Sequence, residues 1–232
     1  TEVEIGKVRL ANDVAIRALE RAREAIKEGV RESEIAAEAE KAVYVAGTGY
    51  GKRAKRERGF AFVMSGPNSS KAWYPFNIST GRRVRRGDIV LLELNVCVDG
   101  YWSDLTRTWV LGRPDGKQSA IHAALIEAQD AAVDAARDGA LASEVDRVAR
   151  DVIEREGYGR YFPHRLGHGI GLRAHEPPDL HPASKDVLRE RMTHTVEPGV
   201  YTAGYGIRVE DDVLVTKGGA LIISRYDRSL EA

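Results

Sequence analysis

Two kinds of hydrophobic pattern follow one another along this chain, and the succession occurs twice. Residues 7–28 carry alanine, valine, isoleucine and leucine at helical spacing, which predicts a helix with Gly29 as its C-cap. VRESEI then starts a second helix, with Ser33 as N-cap, that runs toward Gly49-Tyr50-Gly51. The same order returns later: helical spacing over 117–137, Gly139, Ser143-Glu144-Val145, a helix to about Glu156, then Gly157-Tyr158-Gly159. The serine landmarks lie 110 residues apart and the Gly-Tyr-Gly landmarks 108. An acidic hairpin follows each helix pair. The pattern predicts an α+β duplication whose halves, about residues 1–115 and 116–232, face each other across a central site.

The first hairpin is IVLLELNVCV, Asp99-Gly100, YWSDLTRTWV, two strands joined by a dipeptide that favours a tight type I′ turn. A two-residue turn sets Val98 against Tyr101, Asn95 against Asp104 and Glu93 against Thr106. Val90, Leu92, Leu94, Val96 and Val98 then form a core face, while Glu93 and Asp104 are diagonal neighbours on the other face. In the second hairpin a turn at Ala203-Gly204 brings Glu197 of TVEPGVY opposite Glu210 of IRVEDD. Like charges facing each other across a ladder are destabilising unless a cation neutralises them or one carboxyl keeps its proton.

Between the hairpins lies YFPHRLGHGIGLRAHE, with His164, His168 and His175 among Gly167, Gly169 and Gly171. The glycines exclude a stable helix and let the backbone approach something closely. Asp104, Glu197, Glu210, Glu93 and one imidazole make an oxygen-rich donor set with a single nitrogen. Carboxylate-dominated ligation favours Mn²⁺ and leaves Co²⁺, Fe²⁺ and Zn²⁺ open. So many carboxylates favour two divalent ions sharing bridging ligands, an arrangement suited to hydrolysis.

GYWSDLTRT, HRLGHGIGLRAHEPP, TVEPGVY and IRVEDD, in this order, resemble the motifs of the pita-bread metallopeptidases, the family of methionine aminopeptidase, aminopeptidase P, prolidase and metal-free creatinase. The wording is closer to the aminopeptidase P and prolidase branch. The resemblance spans the chain and implies the pita-bread fold and metal-dependent hydrolysis of Xaa-Pro bonds. It implies metal ligands at Asp104, His168, Glu197 and Glu210, with Glu93 at the position where the family normally has aspartate. His164 and His175 would contact the substrate and the reacting carbonyl, Glu197 would orient or deprotonate the water, and Arg208 would lie near the substrate. Trp73 stands where a substrate-contacting histidine is usual, and Asn95 where the prolidase branch commonly has glycine. Two alternatives go with these departures: a creatinase-like hydrolase of a small C–N bonded compound with altered or absent metal, and a catalytically silent binding module.

Composition narrows the partners. Thirty-five basic and 35 acidic residues cancel, so no global field favours nucleic acid or anionic membrane. The basic runs GKRAKRERG and GRRVRRGD lack interleaved aromatic platforms and read as solvated loops. No stretch approaches the length of a membrane span, and TEVEIGKVRL has no signal-peptide hydrophobic region. The lone Cys97 suits a reducing cytoplasm and reads as a small buried thiol. His122, His181 and His194 read as surface residues. The family comparison suggests one catalytic domain over 1–232 without the N-terminal domain of its relatives, and allows a homodimer. The expected ligand is a small peptide or small molecule.

Overall fold

In the computed structural model, which describes residues 1–49, 54–74 and 78–232, each half is a helix pair laid on an antiparallel sheet. Helices α1 (Glu2–Ala25) and α2 (Glu32–Gly47) precede β1 (Glu57–Ser65), β2 (Ile89–Val98) and β3 (Tyr101–Val110), which pair in that order. Val90, Leu92, Leu94, Val96 and Val98 pack on Ala11, Val14, Ala15, Ala18 and Leu19 of α1, as the alternation in β2 requires. Each large aliphatic side chain buried there contributes about 1.5–3 kcal/mol. The other face of β2, with Glu93, Asn95 and Cys97, is left half-open. Cys97 is therefore only half-buried, not the enclosed thiol expected.

The second half repeats the plan with α3 (Gly116–Ala135) and α4 (Ala142–Arg155). Strands β4 (Gly167–Gly169), β5 (Glu176–Leu180), β6 (Thr193–Val196), β9 (Asp211–Thr216) and β10 (Gly219–Ile222) form a sheet of order β10-β9-β6-β4-β5. A short pair, β7 (Gly199–Tyr201) and β8 (Gly206–Arg208), sits beside it. Its core gathers Ile121, Leu125, Val145, Ile153, Leu180 and Val213, separate from the first.

The repeat extends to single hydrogen bonds. After α1, Gly29 at φ 84° donates to Val84 O at 2.8 Å; after α3, Gly139 at φ 86° donates to Leu188 O at 2.9 Å. Bridges from Arg31 to Arg83 and from Leu141 to Val187 follow in the same places. Helix α2 starts at Glu32, so Arg31 occupies the N-cap and Ser33, expected there, lies inside the first turn. Tyr50 and Gly51 of the first Gly-Tyr-Gly landmark lie outside the described residues. GRRVRRGD is a loop, in which Arg82 makes a two-pronged contact with Asp88 and Arg83 donates to Gly29 O, whereas residues 57–59 of GKRAKRERG, expected as a loop, begin β1.

Both hairpin registers agree with the turn chemistry. Asp99 and Gly100 have φ of 51° and 92°, as a type I′ turn needs, and Asn95 faces Asp104 while Glu93 faces Thr106. In the second half, Gly199 pairs with Arg208 and Val196 with Asp211 in one continuous register, which sets Glu197 across from Glu210 in the gap between. The halves join where Thr106 of β3 bridges Glu210, whose N–H donates to Thr106 O at 3.1 Å. Further along the same seam, Trp102 N–H donates to Gly171 O. Among the described residues no helix is long and apolar enough to cross a membrane.

Candidate metal centre

A cleft of about 270 Å³ opens at this seam. Its floor is built from both halves: Glu93 and Asp104 come from the first hairpin, His168 from β4, and Glu197, Arg208 and Glu210 from the second hairpin. Asp104 and Glu210 are buried, and Glu197 is mostly so.

His168 stands at the centre. Its Nδ1–H donates to Gly169 O at 3.0 Å, which fixes the tautomer and leaves the lone pair of Nε2 facing the acids. Nε2 lies 3.5 Å from Glu197 Oε1 and 3.8 Å from Asp104 Oδ2. Two groups of donor atoms each fall within 4.8 Å: Asp104, His168 and His175, and His168, Glu197 and Glu210. Buried acids of this density do not ionise freely. Burial, reinforced by the facing carboxylates, holds Asp104 and Glu197 well above the ordinary range and pushes Glu210 up to about 7. Burial also keeps His168 neutral. A neutral imidazole with crowded carboxyl oxygens fits a divalent cation, whose charge would remove the repulsion.

The glycines of the histidine run have a steric task. A Cβ on Gly167 would lie 2.1 Å from Thr195 O, and one on Gly169 would lie 2.2 Å from Pro177 O. β4 is thus pressed between β5 and β6 with its backbone bare, and this is what brings His168 down onto the acids. Gly167→Ala is expected to lower stability by about 1–3 kcal/mol, read as a fall in the thermal midpoint.

The remaining expected residues occupy different positions. His175 is exposed at the mouth, its Nε2 3.9 Å from Asp104 Oδ2. Both nitrogens of His164 are engaged: Nδ1–H donates to Arg165 O, and Nε2 accepts from Tyr201 OH at 3.0 Å. Burial, with Arg208 next, lowers His164 to about 3, so it is neutral. Trp73, 41% exposed, lines the rim with its ring edge-to-face against Tyr74 at 5.4 Å. Arg208 is only 4% exposed, and its Nη2 donates to Glu93 Oε2 at 2.7 Å. Glu93 consequently stands in neither donor group.

Thr106 and Tyr201 were not singled out by sequence reasoning, yet they order the site, as does Asn95, noted there only for standing in place of a glycine, whose amide donates to Asp104 Oδ1. Thr106 Oγ1 donates to Glu210 Oε2 at 2.6 Å and accepts from Arg208 Nε at 2.9 Å. The predicted hairpin already set Thr106 against Glu93, the one available signal. Of the three other histidines, only His181 is exposed. His194 is fully buried on β6, with Nδ1–H donating to Thr195 O and burial lowering it to about 4; His122 is half-buried.

Comparison with known proteins agrees with this geometry. The model of metallopeptidase family M24 matches residues 6–217. The chain belongs to this family. An Xaa-Pro dipeptidase of Pyrococcus furiosus is 39% identical over 231 residues, covering 99% of this M24 chain and 64% of the relative. The solved prolidase from P. furiosus superposes with a TM-score of 0.91 at 39% identity, over 98% of this chain and 65% of that one. An X-Pro aminopeptidase structure from Thermotoga maritima gives 0.91 at 33% identity, over 100% of this chain and 63% of that one. The M24 chain thus has the pita-bread fold and spans about 64% of the length of such relatives. Membership of a metallopeptidase family agrees with the donor set around His168.

Proposed function

We propose that this protein is a metal-dependent hydrolase of Xaa-Pro peptide bonds, with Mn²⁺ as its preferred ion. The observation that carries the reading is the buried set of Asp104, Glu197 and Glu210 around the free lone pair of His168, lying in a cleft shared by two halves. The relatives named as Xaa-Pro dipeptidase and X-Pro aminopeptidase support the substrate class. The lone cysteine is in keeping with a cytoplasmic setting.

Asp104, His168, Glu197 and Glu210 would hold the ion, which when bound would polarise the scissile carbonyl and activate water. Glu197 takes the proton of the attacking water, a role suited to a carboxylate whose pKa is raised by burial. His175, exposed at the mouth and able to donate from Nε2, stabilises charge on the carbonyl oxygen or protonates the leaving amine. Phe62, Trp73 and Tyr74 offer an apolar wall against which a pyrrolidine ring packs. His164 and Arg208 act through the protein: Arg208 Nη1 donates to Tyr201 OH at 3.2 Å, and that hydroxyl donates to His164. They are positioning residues in this reading, since the groups that would clamp a substrate carboxylate are turned to protein partners.

The test is hydrolysis of Xaa-Pro dipeptides and longer Xaa-Pro peptides by chelator-treated protein before and after Mn²⁺ is added. Mn²⁺-dependent cleavage confined to the bond before proline is expected. Cleavage of small amidines instead would mean a creatinase-like hydrolase, and absence of all turnover with intact peptide binding would mean a binding module.

A further inference from the structure

Of Asp104, His168, Glu197 and Glu210, only Asp104 comes from the first half, so its place in the donor set depends on how that half is held against the second. Strand β3 is the edge of its sheet, and every second N–H along it points away from β2 toward the other half. Trp102 N–H meets a backbone carbonyl there, Gly171 O at 2.8 Å, and Val110 N–H meets Leu230 O at 2.7 Å. Asp104 N–H meets a side chain instead, Asp212 Oδ2, at 3.3 Å.

Asp212 is fully buried on β9, and its backbone is fixed on both sides: the N–H donates to Ser224 Oγ at 3.0 Å, and the carbonyl accepts from Ile223 N–H at 2.9 Å. The carboxyl itself could still turn about its side-chain bonds. Asn12 of α1, also fully buried, removes that freedom. Its Nδ2 donates to the same Asp212 Oδ2 at 2.9 Å and to Val8 O, one turn back in the helix, at 3.0 Å. Asn12 Oδ1 and Asp212 Oδ1 have no hydrogen-bond partner among the described residues. Two fully buried polar side chains that are only partly satisfied are a poor way to fill a core, and the contact they share ends on the backbone of a metal ligand.

We infer that Asn12 and Asp212 are positioning residues for Asp104. The inference rests on the metal-dependent reading above. The hydrogen bonds run from the first half to the second and back, from Asn12 to Asp212 to Asp104, so the two lobes are registered at the ligand itself. An ion accepts errors of only about 0.2 Å in its ligand distances, and loss of an outer partner of this kind weakens metal binding by about 10- to 100-fold.

Mn²⁺ affinity of chelator-treated protein, measured by equilibrium dialysis and electron paramagnetic resonance well below each variant's thermal midpoint, separates position from stability and from turnover. Asp212→Ala is expected to bind Mn²⁺ about 10- to 100-fold more weakly than wild type, with hyperfine lines broadened by a spread in the place of the Asp104 carboxylate. Asp212→Asn keeps a side-chain oxygen that can accept from both N–H donors and should bind as wild type does. Asn12→Ala should weaken binding in the same direction and add little in the Asp212→Ala background, because the two residues act through one contact. Circular dichroism checks that each variant folds, and Asn12→Ala with Asp212→Asn decides the matter if Asp212→Ala does not. Wild-type affinity and spectrum in the folded alanine variants, whatever their midpoints, would overturn the inference and leave the metal-dependent reading standing; so would an Asp212→Asn variant as weak as Asp212→Ala. Absence of Mn²⁺ binding in wild type would overturn that reading itself.

Discussion

Glu197→Gln is expected to reduce kcat/KM for an Xaa-Pro substrate by about 10²- to 10⁴-fold while making the metal-free protein more resistant to heat. The two effects have one cause. Glu197 Oε1 lies 3.5 Å from His168 Nε2 in a group of buried carboxyls, and both burial and the facing Glu210 disfavour its charge. Glutamine keeps the shape, removes a charge that folding finds costly, and cannot accept the proton of a water. Relief of one such charge is worth on the order of 1–3 kcal/mol, which raises the midpoint by several degrees in a chain of this size. Parallel thermal melts and kinetics check it. A stabilised but inactive variant marks a site where stability has been given up for function. A destabilised variant would mean that Glu197 is a satisfied structural acid.

Metal-free protein is expected to lose stability as pH rises above about 6.5. Two sets of groups pull in opposite directions. Asp104, Glu197, Glu210 and Asp212 have folded pKa values raised by burial, so the stability they confer is complete below their unfolded values and is lost as pH rises through the folded ones, about 7 for Glu210. His164, His168 and His194 have folded values depressed by burial, so their share is present above the unfolded value of 6.5 and is lost as pH falls through the folded ones, about 4 for His194 and about 3 for His164. Between about pH 4.5 and 6.5 the two trends oppose each other; above 6.5 the histidines no longer change and only the acids act. The alkaline loss is read as a fall in the thermal midpoint between about pH 6.5 and 8. Saturating Mn²⁺ should flatten that limb, because a cation then supplies the neutralising charge that protons supply at lower pH. A midpoint that rises steadily through pH 8 without metal would show that these acids are paired in some other way.

What could be read along the sequence was whatever depends on neighbours in the chain. Asp99-Gly100 has the φ values its turn requires, and from it the pairing of Asn95 with Asp104 follows by counting. The Glu197–Glu210 juxtaposition followed in the same way, since no bulge intervenes. What could not be read depends on partners far apart. Glu93 and Arg208 are separated by 115 residues, and no local pattern says that a carboxylate matched to a metal position has an arginine within reach. His194 looks like a polar residue of an exposed strand until β4 and β9 enclose β6 on either side. The start of α2 was misplaced for a related reason. Glu32 is fully buried and accepts hydrogen bonds from Ser65 and Thr80, so the strands and loop it reaches place the helix end, with Ser33 left inside the turn.

The seam between the halves has one more implication. Each half has its own apolar centre, yet Asp104 comes from the first half while His168, Glu197 and Glu210 come from the second. An ion bound there is a reversible cross-link between two lobes that also meet through backbone hydrogen bonds, the buried Arg107–Asp211 pair and apolar contacts made by Ile89, Val110 and Leu91. It draws them together as a disulfide would, but its strength is set by the free concentration of a metal rather than by the redox state of the surroundings.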